Sequence, residues 1–315
     1  MVATTGIMAS LLIGLSIPVA VTIPIEVQST ALQRGEDQFR VAVDADGRDV
    51  DVFVYRAHAH GPNDPVIIVL AGMNRNADDY RRAWIDAAER YNLMIVAPEF
   101  SKQHFPQAAD YNIGGMLRED SRRNRRDETL PFADRSDWLF TDIERVFDAA
   151  RVRYGLIQNS YDLFGHSAGG QIVHRMVMFA PDARINRAVA ANAGWYTVPD
   201  FSAPFPYGLD RLDAEHAQLD AAFDRRMTVL LGARDQGRER RSSLRRSRLA
   251  KQQGNGRLDR GRYFYDRAEK MAQSRQSDFN WSMRVVGGVG HDYRAMSQAA
   301  ADHLYAPKLT MTGPL

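Results

Sequence analysis

At 315 residues with a formal net charge of +2, the chain is long enough to bury a core without staples and too evenly charged to signal nucleic-acid binding. It has no cysteine, which excludes disulfides, thiolate metal ligands and a Cys nucleophile. Hydrophobic residues at 44% and charged residues at 25% exclude a disordered or low-complexity chain.

No charged residue occurs from Met1 to Ile25, and Gly6 to Ile25 is mostly apolar. A signal peptide fits this stretch, with small residues at Ser29 and Ala31 for cleavage. An uncleaved anchor also fits, since about 20 apolar residues span a bilayer as a helix. Pro18 and Pro24 interrupt such a helix and favour the signal reading, whereas the lack of a preceding Lys or Arg speaks against both. Export, periplasmic or extracellular, or membrane association is expected. The alternative is a cytoplasmic enzyme whose true start lies downstream. The domain reading is therefore 1–35 as leader plus linker and 36–315 as one catalytic domain.

From Gln38 the pattern is strand-like. Phe39, Val41 and Val43 alternate, Asp44-Ala45-Asp46-Gly47 makes a turn, and Val50, Val52 and Val54 alternate again, which predicts an antiparallel hairpin. Pro65 to Leu70 is a continuous apolar run, as expected of a parallel strand covered on both faces. Asn76 is placed to cap one helix running through Tyr80, Trp84 and Ala88. Leu93 to Pro98 reads as the next buried strand, and Ser101 to Arg135 as a long polar excursion. Trp138, Ile143, Val146 and Phe147 mark an amphipathic helix. Strands are expected at Tyr161–Phe164, Ile185–Ala193, Met227–Leu231 and Met283–Val286, with a helix from Gln171 towards Met178. Phe201 to Ala222 is a candidate lid. Alternating buried strands and helices predict the α/β class, with a mostly parallel central sheet and helices on both faces.

The chemistry concentrates at Gly165-His166-Ser167-Ala168-Gly169-Gly170. A Ser hydroxyl is a poor nucleophile and needs a base beside it and a backbone that thrusts it forward. G-x-S-x-G between an apolar strand and a helix supplies that thrust, its glycines letting strand and helix pack closely. The chain order for such a site is Ser, then Asp or Glu, then His. Asp235 follows the Met227–Leu231 strand in Gly232-Ala233-Arg234-Asp235, and His291 follows the last strand, in Gly290-His291-Asp292. Both fall in loops at strand C-terminal ends, where α/β sheets gather functional groups. The glycines before His291 suit a loop that approaches the site closely. Asp200 and Asp210 are the alternative acids. His174 reads as a packing or surface residue, and His166 has no separate base role. His303 lies on a late amphipathic helix, and His58, His60, His104 and His216 are away from the required loop. The oxyanion donors expected are the backbone N–H groups of Ala168 and of Met73, in the loop after Leu70. Trp195 and Tyr196, after a strand, are candidates for pocket walls or for core packing.

These motifs resemble the α/β-hydrolase superfamily, and within it bacterial serine esterases related to polyhydroxyalkanoate depolymerases and feruloyl esterases. The resemblance covers roughly residues 38–306 and rests on Leu70-Ala71-Gly72-Met73-Asn74, the Ser167 motif, Gly232-Ala233-Arg234-Asp235 and Gly290-His291-Asp292. Those esterases usually carry His-Gly in the first motif, where this chain has Ala71-Gly72. The resemblance implies carboxylic-ester hydrolysis through a Ser-Asp-His triad and an acyl-enzyme, without cofactor or metal, on a small or polymeric ester. A peptidase or acyltransferase with the same triad, or a non-catalytic binding module on this scaffold, is the alternative. The Arg-rich stretch from Arg234 to Arg262 reads as a solvated helical face, with docking of an anionic substrate or a membrane surface as the alternative, and Arg122-Arg123 and Arg125-Arg126 read the same way. No nucleotide-phosphate loop is present, and the oligomeric state stays open.

Overall fold

The computed structural model describes residues 34–43, 47–117, 132–210, 212, 218–237 and 244–307. All belong to one unit of the chain, Gln33–Leu315. The leader and linker read over 1–35, apart from Arg34 and Gly35, lie outside the described residues, as do the turn residues 44–46, Arg122 to Arg126, Arg240-Arg241 and His216.

Eight strands form one sheet: β1 (Gly35–Ala42), β2 (Asp49–Arg56), β3 (Val66–Leu70), β4 (Met94–Glu99), β5 (Tyr161–His166), β6 (Ile185–Ala191), β7 (Met227–Gly232) and β8 (Trp281–Val286). Their spatial order is β1-β2-β4-β3-β5-β6-β7-β8. The expected hairpin is there, with Val41 opposite Val50, and β2 also runs antiparallel to β4. All other pairings are parallel. The unbroken apolar sequences of β3 and β4 follow from this position, because both faces of these strands are covered.

Alternate residues of the central strands feed two cores, as the two-residue period of a strand requires. Val66, Ile68 and Leu70 join one, where α3 (Leu139–Tyr154), α4 (Ala168–Phe179), α5 (Leu219–Asp224) and α7 (Arg257–Arg275) bury their apolar stripes. Ile67 and Val69 join the other, with α1 (Ala77–Ala83), α2 (Ile85–Tyr91) and α8 (Tyr293–Tyr305). The short α6 (Arg248–Gln252) precedes α7. Helices on both faces of a mostly parallel sheet match the fold class expected.

Several local expectations differ. The single helix from Asn76 is two, α1 and α2, meeting at Trp84, whose fully buried ring packs edge-on to Phe164 at 5.1 Å. Asn76 occupies the N-cap position without capping: its side-chain amide instead donates to Asp79 Oδ2 at 2.7 Å. The described part of the polar excursion buries Phe105, Tyr111, Ile113 and Met116. In the candidate lid, 211 and 213–217 lie outside the described residues, while Tyr207 packs on Trp195 and α5 buries Leu219 and Phe223 in the core. The solvated Arg face is overturned at Arg257 and Arg260, which are buried on α7. No helix among the described residues is long and apolar enough to cross a membrane.

Candidate active site

Ser167 stands between β5 and α4 with φ 58° and ψ −110°, a conformation that costs an L-residue energy and has to be held by its surroundings. Its N–H donates to Ala191 O on β6 at 2.9 Å. The glycines around it are demanded by contact. A Cβ on Gly165 would lie 2.4 Å from the Gly169 backbone, and one on Gly169 only 2.2 Å from Leu70 O. The strand, the turn and the loop after β3 therefore meet at a distance no side chain permits, and the hydroxyl projects at the C-terminal edge of the sheet.

His291 meets Ser167 there. Its Nε2 lies 3.0 Å from Ser167 Oγ and its Nδ1 2.6 Å from Asp235 Oδ2. Asp235 is fully buried, and its other oxygen accepts from Arg257 at 3.0 Å. The carboxylate thus has a hydrogen-bond partner on each oxygen, one of them the charged Arg257, the arrangement under which a buried anion is tolerable. His291 follows the tip of the last loop, and Asp292 caps α8 by accepting from Arg294 N and Ala295 N. The glycines of that loop are not crowded: a Cβ on Gly287, Gly288 or Gly290 would meet nothing within 4 Å, and only Gly288, at φ 74°, needs the freedom. Close approach is required on the facing loop, where a Cβ on Gly232 would strike Gly290 O at 2.7 Å.

Asn192, missed at the sequence level, joins these two loops. It is fully buried at the end of β6 in the left-handed region, φ 44°. Its Oδ1 accepts from Gly232 N at 2.7 Å and its Nδ2 donates to Gly290 O at 3.1 Å. Asn tolerates that conformation better than most residues, so an Asn directly after a strand ending was the signal available. Arg257 was legible only as one of many arginines.

His166 lies against His291 as well. Its ring lies 4.6 Å from that of His291, centroid to centroid, and its Nδ1 is 3.0 Å from Tyr80 Oη. Burial, and then the nearby His291 and Arg257, hold this imidazole far below the usual histidine range, so it is neutral. His174 is buried in the core, where its Nε2 accepts from Thr197 N. Asp200 is taken up by Arg267 and Ser202, and Asp210 is exposed.

Two cavities flank Ser167. One, of about 200 Å³, is lined by Gly72, Met73, Tyr80, His166, His291 and Tyr293. The other, of about 260 Å³, lies towards Ala168, Asn112, Gln171, Trp195 and Arg245. Met73 borders both. The N–H groups of Met73 and Ala168 donate to no other group among the described residues. Trp195 lines the larger cavity. Tyr196 lines neither: it is fully buried and stacked on Phe264 at 4.5 Å. No cluster of three or more metal-ligating side chains occurs among the described residues.

No protein-family model and no curated protein matches the chain. Among solved structures it is similar to poly(aspartic acid) hydrolase-1 from Sphingomonas sp. KT-1, at 36% identity and TM-score 0.78, covering 86% of this chain and 98% of that one. It is similar also to a poly(3-hydroxybutyrate) depolymerase from Bordetella parapertussis, at 34% identity and TM-score 0.78, over 87% and 90% of the two chains. A siderophore hydrolase from Aspergillus nidulans shares the fold at 14% identity and TM-score 0.53, over 86% and 94%.

Proposed function

The chain belongs to the α/β-hydrolase esterase family and is an esterase-type hydrolase; on that premise we propose that Ser167 is its nucleophile, His291 its general base and acid, and Asp235 the group that orients His291. The observation that carries this is the continuous hydrogen-bonded line from Ser167 Oγ through both nitrogens of His291 to the buried Asp235. Geometry of this kind activates a hydroxyl that is otherwise inert at neutral pH.

His291 Nε2 takes the Ser167 proton as Oγ attacks the substrate carbonyl, and the C–O bond to the alcohol breaks when the same proton passes to it. The N–H groups of Met73 and Ala168 receive the oxyanion, their worth lying in being fixed before the charge appears. Water, deprotonated by His291, then releases the acid from the acyl-Ser167. The departing alcohol must reach His291 Nε2, so the cavity lined by His291 is the leaving-group side, and the cavity lined by Ala168 and Trp195 is the acyl side. Tyr207 backs the Trp195 wall.

Ser167→Ala is expected to abolish labelling by a fluorophosphonate probe and to lower hydrolysis of a short aryl ester by roughly 10⁴-fold, with His291→Ala similar. Equal labelling of Ser167→Ala and the parent would remove Ser167 from the role. Export through the apolar Met1–Ile25 stretch belongs to the same reading. Mass spectrometry of the secreted protein's N-terminus tests it, and an intact chain confined to the cytoplasm refutes it.

A further inference from the structure

The acyl-side cavity is unusual in its charge. Arg245 and Arg257 line it, and none of its lining residues is acidic. Arg257 is held by Asp235. Arg245 is exposed, its guanidinium 5.5 Å from the Trp195 ring and 5.7 Å from the Tyr207 ring, and it pairs with no carboxylate among the described residues. Stacking on two aromatic faces orients a guanidinium while leaving its N–H fork available to an anion.

Behind this wall the positive charge continues. Arg175 is fully buried, 4.3 Å from the Trp195 ring, and donates to neutral oxygens: Thr197 Oγ1, Asn112 O and Gln171 O. Its Nη2 has no partner among the described residues. Arg260, also buried, donates to the carbonyls of Gly254, Gly194 and Arg245. Two guanidinium groups thus line the cavity and two more, Arg175 and Arg260, lie behind its Trp195 and Gly194 wall, while among the described residues that line it none is acidic. The cavity wall also holds Gln171, whose side chain is buried. Desolvated charge without a counter-ion is expensive, and an anion in this cavity would relieve it.

We propose that the acyl-side cavity binds a carboxylate carried by the substrate's own acyl group, with Arg245 as its direct partner and the side-chain amides of Gln171 and Asn112 beside it. The substrate class is then the half-ester of a dicarboxylic acid, or the acidic unit of a polymer, rather than a neutral acyl ester. The inference rests on the reading of Ser167 as nucleophile, since that is what makes this the acyl side. A cavity of about 260 Å³ holds a short acid unit and little more.

The test compares the 4-nitrophenyl half-ester of glutaric acid with the same ester capped as its methyl ester, which has the same acyl chain and no charge. The parent enzyme is expected to favour the charged ester by at least about tenfold in kcat/KM, and Arg245→Met to erase that preference. Arg246→Met, an exposed neighbour outside the cavity, is expected to leave the ratio within about twofold, which separates a specific contact from a general field. Equal rates on both esters in the parent enzyme, or a preference that survives Arg245→Met, overturn the proposal. A second readout needs no turnover: calorimetric titration of Ser167→Ala protein with glutarate and with hexa-aspartate. Binding weakened at least about tenfold by Arg245→Met supports the site, and the tighter of the two ligands tells a short acid from an acidic chain. No binding of either overturns it. If instead neither ester is hydrolysed and the fluorophosphonate probe leaves Ser167 unlabelled, while glutarate still binds, the nucleophile assignment fails and the anion site stands.

Discussion

Asn192 shows how much of the site's precision resides in a single uncharged side chain. With one end it takes the N–H of Gly232, three residues before Asp235, and with the other it grips the carbonyl of Gly290, next to His291. Two loops that share no chain connection are thereby set to one spacing. On the proposed role of His291 as base, Asn192→Ala is expected to lower kcat by roughly 10- to 100-fold with a smaller change in KM, because displacing that base by a fraction of an ångström weakens proton transfer more than binding. It should also lower stability by about 1–3 kcal/mol, since a buried N–H loses its acceptor. Stopped-flow kinetics and denaturant titration measure the two effects. Unchanged kcat in a folded Asn192→Ala protein would mean that the loops hold their spacing without it.

Among the elements, the strand-turn-helix unit of β5 and α4 is the most constrained. Gly169 faces the backbone of β3, with Leu70 O 2.2 Å from where its Cβ would be, whereas Gly261 on α7 faces the Leu231 side chain at the same 2.2 Å. A side chain can turn aside and a parallel strand cannot. Gly169→Ala is therefore expected to cost more than Gly261→Ala, with overpacking penalties of roughly 1–3 kcal/mol setting the lower of the two. Urea melts of both variants check the order; equal midpoints would contradict it. The same elements explain which boundaries could be read from sequence. Apolar runs located the central strands β3, β4 and β7 to within a residue or so, because burial on both faces leaves little room for polar positions, and alternation located the half-exposed β1 and β2. The break at Trp84 could not be read, since Tyr80, Trp84 and Ala88 keep one helical period across it while the Trp84 ring packs on Phe164, 80 residues away in the chain.

For the molecule as a whole, three histidines, His60, His166 and His174, are buried, and burial lowers the pKa of each. The unfolded chain binds protons at these positions from about pH 6.5 downward, while the native protein refuses them until lower pH. Stability is accordingly complete above pH 6.5 and is lost as pH falls below it, by up to about 1.4 kcal/mol per pH unit for each histidine. Asp220, held down to about 2 by Arg275 and then Ser277, contributes in a separate window below the usual carboxylate value of 3.8. Calorimetry between pH 7.5 and 5 should show a Tm level at first and then falling from near 6.5. A Tm that stays level to pH 5 would show that these rings gain protons without cost.

By itself the sequence determined the fold class, the place of the Ser167 turn and the loops bearing Asp235 and His291, because these depend on local signals: runs of apolar residues, glycines flanking a serine, and chain order. Only the tertiary structure decided what surrounds them. Arg257 and Arg260 looked like solvated charge, yet they are buried, since hydrophobicity along a helix cannot tell an arginine facing water from one facing a buried carboxylate or a row of carbonyl oxygens. Asn192 carried no motif, and its role arises from loops 40 and 98 residues away. Trp195 and Tyr196 are adjacent and chemically alike, and the turn after β6 sends one to the cavity and the other to the core. Long-range contact, which no local pattern encodes, makes that choice.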